Sequence, residues 1–242
     1  MKLTPFRPKR FTDSELFTTE INHTSFVVKC YLGDDAVSRR NLELKKLKRW
    51  KDYGFNVPNY SEESIDSLTT PHLLIEFISG INLSDYLRDP SLDYTEKRSR
   101  LEKVYLENAR RHRIVLDQNE SMLIHTDPNT DNILLLDDGH VTIDFEHPTK
   151  DKLPIVAVTQ ELANFSRRAL TDIGREHVKD VVSMVMHYYQ CQKTILDGVC
   201  DMTLSRNFQF YHRYKDNQKK AKDPYVVTRY DFADALRAEL DL

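Results

Sequence analysis

The chain has 242 residues, 40% of them hydrophobic, and 35 Lys and Arg against 38 Asp and Glu give a formal net charge of −3. That length supports a real core in one large domain or two packed lobes, and the charge balance offers no overall attraction to nucleic acid. Three cysteines (Cys30, Cys191, Cys200) form no CxxC pair, no apolar run nears the roughly 18 residues a bilayer span needs, and MKLTPFRPKR has no apolar stretch behind its charges, so the expectation is a disulfide-free fold in a reducing cytoplasm without signal peptide or transmembrane anchor.

ELFTTEIN (15–22) and SFVVKCYL (25–32) are rich in β-branched and aromatic residues, with HT between them as a tight connection, which predicts a small antiparallel sheet. DDAVSRRNLELKKLKRWKDYG (34–54) has acidic residues first, basic residues later and Gly54 at its end, a helix of about five turns. Its apolar positions Val37, Leu42, Leu44, Leu47 and Trp50 form an imperfect stripe, because Leu42 and Leu44 cannot share one face. HLLIEFISG (72–80) suits a buried strand running into a connector.

From Leu83 the pattern turns mostly helical. EKRSRLEKVYLENARRHRIVL (96–116) has helical spacing through Leu101, Val104, Tyr105 and Ala109, and NILLLDDGHVTIDF (132–145) reads as a hairpin around Asp-Asp-Gly. The remainder, about 155–242, reads as helix, most clearly in ELANFSRRAL and HVKDVVSMVMHYYQCQKTIL. The fold class expected is α+β, divided into a sheet-bearing lobe over 1–77, a hinge over 78–82 and a mostly helical lobe over 83–242.

Four pieces of chemistry follow one another. Lys29, inside the apolar strand FVVKCY, needs an anionic partner to repay its desolvation, and Glu43 on the next helix is the candidate; an edge-strand lysine that snorkels to water is the plainer alternative. The passage LLIEFISG offers the Glu76 carbonyl and the Ile78 amide to an adenine edge, although alone it reads more simply as a buried strand. IHTDPNTDN (124–132) sets His125, Asp127 and Asn132 on one loop, where a carboxylate can accept a hydroxyl proton and an amide can bind a metal. Asp144, at the end of the hairpin, joins Asn132 as a pair of oxygen donors for Mg²⁺.

HxDxxxxN, a short hairpin and then Asp-Phe resembles the signature of protein-kinase-like enzymes, here HTDPNTDN and DFE over about residues 15–165. The resemblance implies a bilobal fold and an ATP- and Mg²⁺-dependent transfer. Lys29 then contacts phosphates, Glu43 orients it, Glu76 and Ile78 form the hinge, Asp127 is the catalytic base, Asn132 and Asp144 hold Mg²⁺, and His125 packs beneath the loop. Asn129 stands where protein kinases usually carry lysine, and Glu146 replaces the glycine of their DFG; IDFEHP looks more like the ending seen in aminoglycoside phosphotransferases and choline kinases. Glu146 itself is a further candidate to face metal or acceptor. The acceptor implied is a hydroxyl of a small molecule or saccharide, with bacterial kinases of lipopolysaccharide-core sugars among the similar types. Peripheral membrane contact is expected if that acceptor is a lipid, and no nucleic-acid partner is.

No glycine precedes Gly33, so the phosphate-covering glycine loop is missing or replaced by INHTS (21–25), and no activation loop with an APE ending is evident. An atypical protein kinase, or a pseudokinase that binds nucleotide as a scaffold, are the alternative readings. Among side features, His187 and Cys191 have an i, i+4 spacing that a metal can use but read more simply as helix residues. RRHR (110–113) and KKAK (219–222) are candidate anion grips or plain solvated faces. Tyr211, Tyr214, Tyr225 and Tyr230 are sugar-stacking candidates or core residues.

Overall fold

The computed structural model describes residues 3–6, 13–149, 152–204, 207–223 and 226–241. The fold is α+β, with antiparallel sheet gathered in the N-terminal part and helices in the C-terminal part, as the sequence pattern predicts. The chain forms two compact units: Met1–Gly80 with Leu134–Pro148, and Ile81–Ile133 with Thr149–Leu242. The hairpin that follows the HTDPNTDN loop therefore clusters with the N-terminal unit.

In the first unit, β1 (Thr4–Pro5), β2 (Ser14–Ile21), β3 (Thr24–Tyr31), β4 (Tyr60–Ser61) and β5 (His72–Glu76) form an antiparallel sheet in the order β1-β2-β3-β5-β4. The β2–β3 ladder runs from Ser14↔Tyr31 to Ile21↔Thr24. Its turn is Asn22-His23, one residue earlier than HT, with φ of 49° and 63°. Two successive left-handed residues match the right-handed strand twist, and asparagine tolerates that conformation better than most residues.

Side-chain alternation gives the sheet two different faces. Val28, Cys30 and Leu74 pack on one side with Ile65, Phe17 and Phe26. Lys29 and Tyr31 belong to the opposite side, where they meet helix α1 (Ala36–Asp52). That helix ends at Tyr53, followed by Gly54 in the left-handed region. The hairpin β7 (Ile133–Leu135) and β8 (His140–Thr142) turns through Gly139 at φ 102°, and Thr142 N donates to Asn56 O at 3.1 Å.

The second unit opens with β6 (Ile81–Asn82) and α2 (Leu83–Arg88), the latter capped by the Asn82 side chain accepting from Asp85 N. Then come α3 (Tyr94–Gln118), α4 (Pro154–Ile173), α5 (Val178–Tyr189), α6 (Lys193–Leu204), α7 (Gln209–Lys222) and α8 (Arg229–Leu240). Leu101, Val104 and Tyr105 of α3 are buried, as their spacing predicts.

HVKDVVSMVMHYYQCQKTIL is two helices rather than one, with a turn closed by Gln192 N on Tyr189 O at 2.7 Å. The buried positions Val181, Val185, Tyr189, Leu196 and Val199 keep a helical period across the break, so the pattern hides it. The turn allows α5 and α6 each to pack on α8. It also places Cys191 beyond the end of α5, so His187 and Cys191 do not share a helix face. Among the described residues no helix is long and apolar enough to cross a membrane.

Gly80 closes the first unit against Leu135, and a Cβ built on it lies 2.6 Å from the Leu135 carbonyl oxygen. Backbone cannot yield there as a side-chain tip can. Gly80→Ala is expected to lower stability by about 1–3 kcal/mol in urea unfolding; a wild-type midpoint in the variant would refute the close approach.

Candidate functional site

The first unit assembles its polar residues around one buried ammonium. Lys29 projects from β3 and is almost wholly enclosed, with its Nζ 2.8 Å from Glu43 Oε2, 2.6 Å from Asp144 Oδ1 and 3.6 Å from Glu146 Oε1. Burial works against the charged form, but the Glu43, Asp144 and Glu146 carboxylates outweigh it and hold the lysine pKa above its ordinary range. Lys29 is thus an ion-paired core residue and not a snorkelling edge lysine. Tyr31 completes the group, its hydroxyl donating to Glu43 Oε2 at 2.7 Å.

Helix α1 reads the segment after β8 residue by residue. Glu43 Oε1 accepts from Phe145 N at 3.3 Å, Arg39 Nη1 donates to Glu146 Oε2 at 2.9 Å, and Lys46 Nζ donates to His147 O at 3.1 Å. Arg39 also donates to Asp13 O and to Leu32 O, so it ties this segment to the open end of the β2–β3 ladder, beyond the Ser14↔Tyr31 pair. Trp50, a turn further along α1, packs edge-on against Phe145 with ring centroids 4.8 Å apart. Positions 39, 43, 46 and 50 recur every three or four residues, the spacing of one helix face.

That clamp holds Asp144 at φ 69°, a left-handed conformation that costs a non-glycine residue roughly 1–2 kcal/mol. Glu146 is buried beside two other carboxylates, and burial raises its pKa above the usual carboxylate range although Lys29 and Arg39 oppose this. Arg39 and Lys46 were missed by the sequence reading, and the signal was present: charges at helical spacing where an apolar stripe failed to close.

The other predicted groups of this unit lie at the far end of the sheet. Glu76 N donates to Asn59 O at 2.8 Å, and its carboxylate accepts from Asn59 N at 3.0 Å and from Asn59 Nδ2 at 2.7 Å. Ile78 follows β5, half-buried. Beside them a cavity of about 400 Å³ is lined by Thr4, Thr18, Thr19, Glu20, Ser25 and Phe77. Thr18, Glu20 and Ser25 share the sheet face of Lys29, because the register pairs Thr18 with Val27 and Glu20 with Ser25. Phe6 closes on this end, edge-on to Phe77 with centroids 5.6 Å apart.

In the second unit, Asp127 and Asn132 are brought together: Asn132 Nδ2 donates to Asp127 O at 3.0 Å and to Asp127 Oδ2 at 3.2 Å. This orientation turns the Asn132 amide nitrogen toward the carboxylate. The loop is pinned by one face of α4. His125 N donates to Glu161 Oε2 at 3.1 Å, Arg168 Nε donates to Asn129 Oδ1 at 2.8 Å, and Thr130 Oγ1 donates to Asp172 Oδ2. Arg88 of α2 holds the other Asp172 oxygen at 2.5 Å. ELANFSRRAL is therefore the helix that supports the loop, and His125 is buried in it.

Glu161 anchors this arrangement from below. Arg111 Nη2 donates to its Oε1 at 2.5 Å, Arg111 Nη1 donates to Leu123 O at 2.6 Å, and His112 Nε2 lies 3.2 Å from Glu161 Oε2. Burial alone would raise the Glu161 pKa, but the Arg111 guanidinium reverses that and holds it well below the carboxylate range. Burial lowers the His112 pKa, and its Nδ1 meets Tyr189 OH at 2.7 Å.

Half of RRHR is accordingly core, with only Arg110 and Arg113 exposed. In KKAK, Lys219 meets Asp216 at 3.1 Å and Lys220 meets Asp231 at 2.6 Å. Tyr230 is buried, Tyr211 and Tyr214 are exposed, and Tyr225 lies outside the described residues.

Asn132 and Asp144 offer oxygen donors, the type Mg²⁺ prefers. Among the described residues no group of three or more His, Cys, Asp or Glu is arranged to hold a metal. No family model and no curated protein matches the chain. Among solved structures, a structure of WaaP in complex with acyl carrier protein is similar: 16% identity, covering 78% of this chain and 79% of that one, with a TM-score of 0.48.

Glu161 has a folded-state pKa below its unfolded one. Its contribution to stability is therefore complete above the unfolded value of about 4.3 and drains away as pH falls below it. Glu161→Gln is expected to lose about 3–5 kcal/mol at pH 7, since Arg111 stays buried without its counter-charge. In urea melts the gap to wild type should stay nearly unchanged at pH 5 and narrow at pH 3; an equal gap at pH 7 and pH 3 would refute the ion pair.

Proposed function

We propose that the chain is a phosphotransferase of the protein-kinase-like type, moving the γ-phosphoryl group of ATP to a hydroxyl of a small molecule or saccharide with Mg²⁺. The observation that carries this reading is the buried Lys29 ammonium, shared by Glu43 of α1 and Asp144 after β8. A structural ion pair needs one carboxylate, whereas a lysine presented with two or three of them resembles a site built to handle phosphate and a cation together.

The sheet face supports the placement of a nucleotide. From Ser25 beside the cavity to Lys29 is four residues on one strand, about 13 Å, a distance suited to a base at one end and phosphates at the other. Glu76 and Ile78 flank the base end, in keeping with the proposed hinge role. On this reading Lys29 binds the α- and β-phosphates and Glu43 keeps the ammonium aimed. Asp127 orients the acceptor hydroxyl and takes its proton at the carboxylate, while the Asn132 amide, held on Asp127, fixes that carboxylate. Asn132 and Asp144 are the residues that would hold Mg²⁺, which when bound neutralises phosphate charge. The proposal takes these groups from both units. A small-molecule hydroxyl is the acceptor class the DFE ending favours, and the compact chain with its small first lobe adds a lipopolysaccharide-core sugar as a candidate.

The test combines binding and turnover. ATP with Mg²⁺ is expected to raise the melting temperature of wild type, and Asp144→Ala and Lys29→Met should lose that rise. Asp127→Asn should keep it but lose on the order of 10²–10⁴ in turnover against a panel of sugars and amino alcohols. No nucleotide-dependent rise in the wild type, or full turnover by Asp127→Asn, would overturn the reading.

A further inference from the structure

Helix α7 stands apart from the other helices in what it shows to solvent. Its half-buried residues, Gln209, His212, Arg213, Asp216 and Lys220, form one stripe at spacings of three, four and seven, and that stripe faces α8. Arg213 donates to both Asp234 oxygens at 2.8 and 2.6 Å and lies 4.3 Å over the Tyr230 ring, while Lys220 reaches Asp231. The helix is thus fastened by salt bridges along one side, and none of its residues is buried.

The opposite side carries aromatic rings and lysines. Phe210, Tyr211 and Tyr214 are 92%, 54% and 60% exposed, and Phe208, the left-handed residue just before the helix, is 81% exposed. Lys215 stacks 4.6 Å over Tyr211, and Lys222 follows Lys215 two turns on. Within α7 there are five Lys or Arg against one Asp, in a chain whose net charge is −3.

We propose that this outer face of α7 lies on an anionic lipid surface, with the rings entering the headgroup layer and the lysines pairing with lipid phosphates. Three features select a membrane over an acidic protein. The outer face has no Leu, Ile, Val or Met to fill a partner's pocket. Its charges are lysines, which protein interfaces deplete, and the only arginine of the helix is turned inward onto Asp234. Rings and ammonium groups side by side on a convex helix match the composition of helices that lie in the bilayer interface. The inference is independent of the catalytic reading, since α7 contributes none of the groups proposed for phosphoryl transfer.

The experiment is co-sedimentation of the full chain with phosphatidylcholine vesicles, with and without phosphatidylglycerol. Binding is expected only with the anionic lipid, weakening as salt rises, and falling on the order of 100-fold in Lys215→Glu/Lys222→Glu. A Phe210→Trp chain should show a blue-shifted indole emission on the same vesicles, against the constant background of buried Trp50. That readout keeps the proposal falsifiable if the double variant does not fold. Equal binding to neutral vesicles, no blue shift, or retention on soluble polyglutamate without vesicle binding would overturn it, the last assigning the face to an acidic protein.

Discussion

The first unit depends on a lysine placed where water cannot reach it. Enclosing an ammonium is costly, and opposite charges at hydrogen-bond distance must repay most of that cost. Lys29 draws Glu43 from α1 and Asp144 from the segment after β8, separated by about a hundred residues in sequence. The segment must then be held where its carboxylate meets the lysine, and Arg39, Lys46 and Trp50 supply that hold. The left-handed backbone of Asp144 follows from the same requirement. Strain of this kind persists only where the surroundings over-determine the conformation, and it concentrates at functional positions.

The same constraint explains what the amino-acid pattern reveals of α1. Its extent, its C-terminal glycine and its Lys29 partner were legible because they rest on local signals: charge order, a breaker and one acidic residue on the next helix. Its buried face was not, because that face carries Arg39, Glu43 and Lys46 among its apolar residues. Val37, counted with the apolar stripe, is exposed. Hydrophobic periodicity assumes that the inward face is apolar, so a helix whose inward face recognises charge reads as a poor amphipath.

In the second unit, the loop residues Asp127 and Asn132 and their supporting helix were legible, since polar residues between apolar runs and a following apolar helix stand out locally. The anchors beneath them were not. Arg111 and His112 sit in a basic run that looks like a solvated face, and only Glu161, about fifty residues later, makes them interior groups. Such pairings are set by tertiary neighbours and leave no local mark. The α5–α6 turn is hidden for a related reason: both helices bury the same period against α8, so only a change of chain direction separates them.

On the proposed reading, the strand register also decides which part of the sheet meets phosphate. The glycine loop was expected to be missing or replaced by INHTS, and the turn at Asn22-His23 lies at the Ser25 end of the ladder, about six residues or 20 Å along β3 from Lys29. A two-residue hairpin also leaves few amides outside its own ladder. Glu20 stands at that end and lines the cavity, while the Lys29 ammonium stands at the other. The chain enters β2 at the opposite end from the turn, where Leu32 N donates to Asp13 O at 2.8 Å. On the proposed reading, direction along the sheet is therefore electrostatic: base toward Glu20 and Phe77, phosphates toward Lys29. The neutralising charge that a glycine hairpin shares elsewhere falls here on one clamped lysine and on what Asp144 binds.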